Sequence, residues 1–247
     1  MKASPTLITT AMTARDTVQP HAFLAGATID TLFRLEAIPG RAIYDFDGTT
    51  VKDPFLILAD AGVNAFRVET FNGQCLGPTT FNNSGNVLDE ELLFQLDWGC
   101  IDIKVQTAQR AVAQGMRFQL TINMGDKIPA AWESYNYEQM SNAVYNETKR
   151  QLQPFLDASL LPDIILLKNE GSDGFLFVEE TSGHARASSD QELCGEIPTG
   201  NMASFPQLAG FYKVQIQACN EAITTAGMST SAVRYGLHPH GQYVQWK

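Results

Sequence analysis

Apolar positions along the chain alternate between short runs that read as strands and longer windows with helical spacing. Residues 23–29 (FLAGATI) read as a first strand, and residues 54–61 (PFLILADA) as a helix with Pro54 at its first position and Gly62 as its stop. Residues 63–70 (VNAFRVET) then read as a second strand. A Gly- and Asn-rich loop over 71–88 ends in a helical stretch broken near Gly99. In 101–114, Ile101, Val105, Ala108 and Val112 share one face, with Gly115 closing the helix. Residues 116–122 (MRFQLTI) predict a third strand. A helix over 137–160 turns Met140, Val144, Leu152, Phe155 and Leu156 inward. Residues 163–167 (DIILL) form a continuous apolar run, as in a strand covered on both faces. After a long loop, a helix over 207–226 and a strand over 232–237 complete the pattern.

Strands that alternate with helices imply right-handed βαβ units and a parallel sheet, either an open doubly wound sheet or a (β/α)8 barrel. No GxGxxG or P-loop follows the first strand, which removes the usual signature of the nucleotide-binding open sheets. Polar and ionisable residues gather instead where strands end: Asp30, Arg67 with Glu69, Asn123 with Asp126, Asn169 with Glu170, and His238 with His240. In a barrel these ends line one mouth, where active sites lie, so the α/β barrel is the expected fold. Asn169-Glu170, directly after the apolar fourth strand, is the sharpest local signal. Glycosidic cleavage needs a carboxyl group to protonate the leaving oxygen and a second carboxylate to attack or to activate water. An adjacent amide can hydrogen-bond a sugar hydroxyl.

Composition narrows the partners. The 247 residues carry a formal charge of −10 and no Lys/Arg cluster, so a phosphate backbone is an unexpected partner. No apolar run approaches the roughly 18 residues of a membrane span. Cys75, Cys100, Cys194 and Cys219 are too widely spaced for a zinc ribbon or a CxxC site, so no metal is implied. Their even number allows two disulfides in three pairings. With the sequons at Asn82 and Asn146, this leans towards an extracytoplasmic setting. The N-terminal stretch lacks the apolar core of about 7–15 residues that a signal peptide requires. Residues 1–22 are therefore read as an extension and 23–247 as the barrel portion.

Several stretches carry a family resemblance: GATID at 26–30, DPFLILADAGVNAFRV at 53–68, DIKVQTAQRAVAQGM at 102–116, PAAW at 129–132, AVYNETKRQL at 143–152 and PDIILLKNEGSDGFLF at 162–177. In order and spacing the chain resembles the family 53 glycoside hydrolases, the arabinogalactan endo-β-1,4-galactanases, which are (β/α)8 retaining glycosidases. The resemblance implies that Glu170 is the general acid/base and that Asn169 contacts the hydroxyl next to the cleaved bond. It also implies that Arg67 lies under the site and holds the nucleophile ionised, and that His238 falls near a family histidine on the fifth strand. Asn123 and Asp126 join the substrate-binding set at the third-strand end. The implied substrate is a secreted enzyme's polysaccharide, with no cofactor and a monomeric protein.

The departures matter as well. The family's His-Tyr-Ser-Asp and Trp-Ala-Asp-Pro are reduced here to Asn123-Met124-Gly125-Asp126, and Phe177 stands where a tryptophan is expected. Aromatic platforms bind sugar faces, so the subsites are altered, which leaves mannan, glucan or a purely carbohydrate-binding role as alternatives. The family nucleophile is a glutamate on the seventh strand, whereas five strands are counted before Lys247. The chain is thus expected to be five of eight βα units, a fragment or truncated product without its nucleophile. Glu69 and Asp126 are the carboxylates within reach of the same mouth.

Overall fold

The computed structural model describes residues 24–29, 32, 36, 43, 45–71, 100–124, 132, 135–168 and 205–238. The described elements are β1 (Gly26–Ala27), α1 (Pro54–Asp60), β2 (Ala65–Thr70), α2 (Ile101–Ala113), β3 (Arg117–Ile122), α3 (Tyr137–Asp157), β4 (Ile164–Leu167), α4 (Phe205–Thr225) and β5 (Arg234–Gly236). The five strands pair in parallel in the order β1-β2-β3-β4-β5. Each crossover between neighbouring strands from β2 to β5 contains a helix. Sequential parallel order is the arrangement of a barrel wall, because a doubly wound sheet reverses its order at a switch point. The fold is α/β of the (β/α)8 type, with five strands among the described residues.

The two sheet faces differ in chemistry. Phe66 and Val68 of β2, Phe118, Leu120 and Ile122 of β3, and Ile165 and Leu167 of β4 are all buried. They form the layer beneath the helices, where Phe118 meets Phe155 of α3 at 5.4 Å between ring centroids and Phe66 meets Phe55 of α1 at 4.9 Å. The alternate residues, Arg67 and Glu69 on β2, Gln119 and Thr121 on β3, and Ile164 and Leu166 on β4, take the opposite, concave face, as the two-residue period of a strand requires.

The helices start and stop for local reasons. Asp53 caps α1 through the Phe55 and Leu56 N–H groups, with Pro54 at the first position. Asn136 and Gln139 form a reciprocal capping box on α3. All four described helices end in the same way: the second residue past the cap donates back to a carbonyl near the helix end, as Val63 does to Leu58 and Leu160 to Phe155. The left-handed residue in this turn is Gly62, Gly115 and Gly227 in three cases and Ser159 (φ 59°) in the fourth.

Two expectations are corrected. Cys100 is disulfide-bonded, whereas Cys219 is a free thiol inside α4, so the four cysteines do not form two internal disulfides. Cys219 is fully buried among apolar residues, where a thiol behaves as a small hydrophobe. The first strand contracts to Gly26–Ala27. The sequon at Asn146 lies within α3, and its Thr148 hydroxyl is buried and donates to the Val144 carbonyl at 2.7 Å. The Asn146 side chain itself is exposed on the helix. Asn82 lies outside the described residues.

Candidate active site

Register brings the site together. β2 and β3 pair Arg67 with Gln119 and Glu69 with Thr121. Diagonal neighbours on one face of a strand pair lie within reach of long side chains. Arg67 thus reaches across to Thr121, its Nε donating to Oγ1 at 2.9 Å. Two residues along the same strand, its Nη2 donates to Glu69 Oε2 at 3.1 Å. The other Glu69 oxygen, Oε1, accepts from Asn123 Nδ2 at 2.9 Å. Asn123 follows β3 by one residue and is the next diagonal neighbour. A guanidinium, a carboxylate and an amide are therefore linked across the C-terminal ends of two strands. Glu69 is only 5% exposed, and both of its carboxylate oxygens accept hydrogen bonds from these partners.

A second polar layer holds the same strand ends from the helix side. The Thr70 hydroxyl donates to Gln151 Oε1 at 2.6 Å, and Gln151 Nε2 donates to the Asn123 carbonyl at 3.1 Å and to Glu147 Oε1 at 2.8 Å. Arg150 grips both Glu147 oxygens, at 2.7 and 2.6 Å, and donates to the Phe71 carbonyl at 3.3 Å. The carboxylate of Glu147 keeps the Arg150 guanidinium proton firmly bound, with its pKa above the ordinary value. One helix thereby fixes the backbone where β2 and β3 turn into loops. This layer was not anticipated, although its signal was present: Glu147 and Gln151 occupy the inward stripe of α3 between Val144 and Phe155.

Lys168 is the other unanticipated residue. It is 1% exposed, continues the β4 ladder by donating its N–H to the Ile122 carbonyl at 3.0 Å, and has a left-handed backbone at φ 72°. Such a conformation costs a side-chain-bearing residue about 1–2 kcal/mol, and strain of this kind collects at functional sites. The chain passes directly from Lys168 to Asn169-Glu170, which lie outside the described residues, as do Asp30, Asp126, His240 and Phe177.

His238 follows β5 by two residues and is half-buried. Three strand spacings of about 4.8 Å separate β5 from β2, so along the sheet it stands about 14 Å from the Arg67 strand. It stands on the same rim, three strands along from the Arg67 strand. Trp132 of the PAAW stretch packs against the core. Arg67 also lines a cavity of about 240 Å³ with Gly26–Thr28, Ala65, Phe66 and Gln119. Among the described residues no group of three or more His, Cys, Asp or Glu is placed to hold a metal, and no helix is long and apolar enough to cross a membrane.

The ionic cluster at the carboxyl ends of parallel strands is where a barrel enzyme holds substrate, and comparison with known proteins gives the family. The family described as glycosyl hydrolase family 53 matches residues 24–228. The chain belongs to glycosyl hydrolase family 53. It is 30% identical over 183 residues to a protein of Niallia circulans named "Uncharacterized protein in bgaB 5'region", covering 70% of this chain and 44% of that relative. Among solved structures, the family 53 catalytic domain from Ignisphaera aggregans superposes with a TM-score of 0.60 at 21% identity, covering 88% of this chain and 51% of that one. A structure from a study of two fungal β-1,4-galactanases superposes with a TM-score of 0.58 at 18% identity, covering 87% and 52%. These superpositions agree with the barrel topology. The family 53 chain spans about half the length of the relatives it matches.

Proposed function

We propose that this chain carries the acid/base half of an endo-β-1,4-galactanase-type site that cleaves plant cell-wall galactan with retention. The observation that carries the reading is the Arg67–Glu69–Asn123 cluster on β2 and β3, in a chain whose next strand leads directly into Asn169-Glu170. In this reading Glu170 protonates the leaving oxygen and then deprotonates the incoming water, and Asn169 holds the neighbouring hydroxyl. Arg67, Asn123, Asp126 and His238 bind the sugar chain. The second carboxylate, needed about 5–5.5 Å from the first, comes from the seventh strand of the complete barrel. No cofactor enters the reaction. The substrate places the protein outside the cell, the disulfide at Cys100 suits an oxidising setting, and the protein works as a monomer.

One observation favours a second reading, carbohydrate binding without turnover: Arg67, expected to serve the nucleophile, is paired with Glu69 within this chain. Hydrolysis of galactan, mannan and glucan by the complete barrel, seventh strand included, and by its Glu170→Gln variant separates the readings. Galactan cleavage that falls at least about 100-fold in the variant supports the first, since acid/base groups contribute about 10²–10⁴-fold. Cleavage unchanged in the variant removes Glu170 from the acid role, and binding without cleavage selects the second reading.

A further inference from the structure

We propose that α3 and α4 enclose a buried hydration site, in which Ser141 and Gln215 hold ordered water between the two helices. The proposed reaction uses neither residue, and the site is independent of the substrate. Gln215 is 0% exposed and lies on the buried stripe of α4 that also carries Leu208, Phe211, Cys219 and Ala222. Among the described residues, its Oε1 and Nε2 and the Ser141 Oγ are the buried side-chain polar atoms without a hydrogen-bond partner. A primary amide offers two donors and two acceptor lone pairs, and a serine hydroxyl can both donate and accept. Native cores rarely leave such groups unpaired, because their desolvation is then uncompensated, and ordered water is the usual partner where protein groups do not reach.

The three atoms share one level of the fold. Both helices run the same way, since each follows a strand of the same parallel sheet. The Tyr137 ring of α3 meets the Phe211 ring of α4 at 5.2 Å between centroids. Ser141 and Gln215 each stand four residues, about one turn, beyond that contact. One turn further along α3, the Tyr145 hydroxyl donates to Glu221 of α4, which also accepts from Gln217 at 2.9 Å. The aromatic pair thus closes the seam on one side of the level and the Tyr145–Glu221 bond closes it on the other. A buried water needs about 2–4 polar partners, and the amide with the hydroxyl supplies three atoms. The same level matters to the strand ends. α3 and α4 close with the same turn, Leu160 donating to Phe155 and Met228 to Ile223. Gln215 precedes that acceptor by eight residues, as Glu147 does in α3. Glu147 belongs to the layer that fixes the β2 and β3 ends, so hydration at Gln215 extends that polar layer to the next helix.

A crystal structure of the full chain at a resolution that shows ordered water tests the inference, together with a double-mutant cycle of Ser141→Ala and Gln215→Leu in urea unfolding. The parent is expected to show a water within hydrogen-bond distance of both the Gln215 amide and Ser141 Oγ, and Gln215→Leu is expected to lose it. The two substitutions are expected to be coupled, because either one removes a ligand of the same water. The effect of the double variant on the folding equilibrium constant should differ from the product of the single effects by roughly threefold or more. A direct hydrogen bond from the Gln215 amide to another protein group, or no water density beside it, overturns the inference. Independent effects of the two substitutions overturn it as well. Should either variant fail to fold, the density in the parent decides alone.

Discussion

Ser159 ends α3 in a turn that glycine fills after the other three described helices. Its φ of 59° pushes Cβ towards the neighbouring carbonyl, and the side chain is exposed, so little packing offsets the strain. Ser159→Gly is expected to stabilise the protein by up to about 1 kcal/mol, the relief being partly offset by the greater backbone freedom of glycine in the unfolded chain. Thermal unfolding should show a rise of about 1–3 °C. Lys168 shares the left-handed backbone, but it is buried and precedes the candidate acid/base by two residues in the sequence, so its strain cannot be separated from its side chain by one substitution. Cys219 gives a second residue-scale prediction. Burial pushes its thiol up to about 12, which leaves almost no thiolate near neutrality. Iodoacetamide at pH 8 should leave Cys219 unmodified in the native protein and alkylate it rapidly in denaturant, as read by mass spectrometry of its peptide. Rapid native alkylation would mean that α4 opens readily. At this scale the site was only partly legible. Arg67, Glu69 and Asn123 stand out as charged or amide residues after apolar strands, but their linkage depends on a register that no single strand encodes. Lys168 shows no signal, because sequence does not display a backbone angle on a non-glycine residue.

Helix α3 is the element that joins core and site. One stripe supplies Met140, Val144, Leu152 and Phe155 to the apolar layer, and within it Glu147 and Gln151 supply the hydrogen bonds that fix Thr70 and Asn123. Gln151→Leu keeps the volume but leaves the Thr70 hydroxyl and the Asn123 carbonyl without this partner, so a loss of about 2–4 kcal/mol in urea unfolding is expected. The α3–α4 contact is set by Gly210. A Cβ there would stand 1.9 Å from the Tyr137 hydroxyl and 3.3 Å from its Cζ. The Tyr137 ring cannot swing away freely, because it packs on Phe211 at 5.2 Å between centroids. Gly210→Ala should therefore cost about 1–3 kcal/mol despite alanine's better helix propensity. In a Tyr137→Phe background the closest clash disappears, and the cost should fall to near zero. Equal costs in both backgrounds would show that the helices separate instead of clashing. The order and kind of the elements were legible because hydrophobic period separates strand from helix, and glycine marked the ends of α1 and α2. The expected end of α3 at 160 overran the observed Asp157, since Ser159 offers none of glycine's signal.

At the scale of the molecule, stability should respond to acid through carboxylates held ionised by fixed partners. Asp53 is the clearest case. Partial burial alone would raise its carboxyl pKa, but the Arg110 guanidinium at 2.7 Å and the Phe55 N–H at 2.8 Å outweigh that and hold it below the ordinary 3.8. Arg110 also binds both Glu36 oxygens at 2.8 Å and covers the Phe55 ring at 4.9 Å, so α1, α2 and the preceding segment meet at one cation. Asp45 and Glu221 are lowered too, through hydrogen bonds from Lys52 and from Tyr145 respectively. A carboxylate whose folded pKa lies below its unfolded value stabilises the native state fully above that unfolded value. The contribution is lost as pH falls through the folded one. Acid also discharges part of the formal −10, and relief of self-repulsion acts in the opposite direction. A comparison of variants cancels that global effect. Asn at position 53 can still cap α1, so Asp53→Asn removes the charge coupling to Arg110 and keeps the cap. The parent should be more stable than Asp53→Asn at pH 7, and the difference in Tm should shrink as pH falls below about 4, where free aspartate protonates. Parallel Tm curves from pH 7 to pH 3 would show that the ion cluster contributes nothing and that the discharge of the surface governs the acid response.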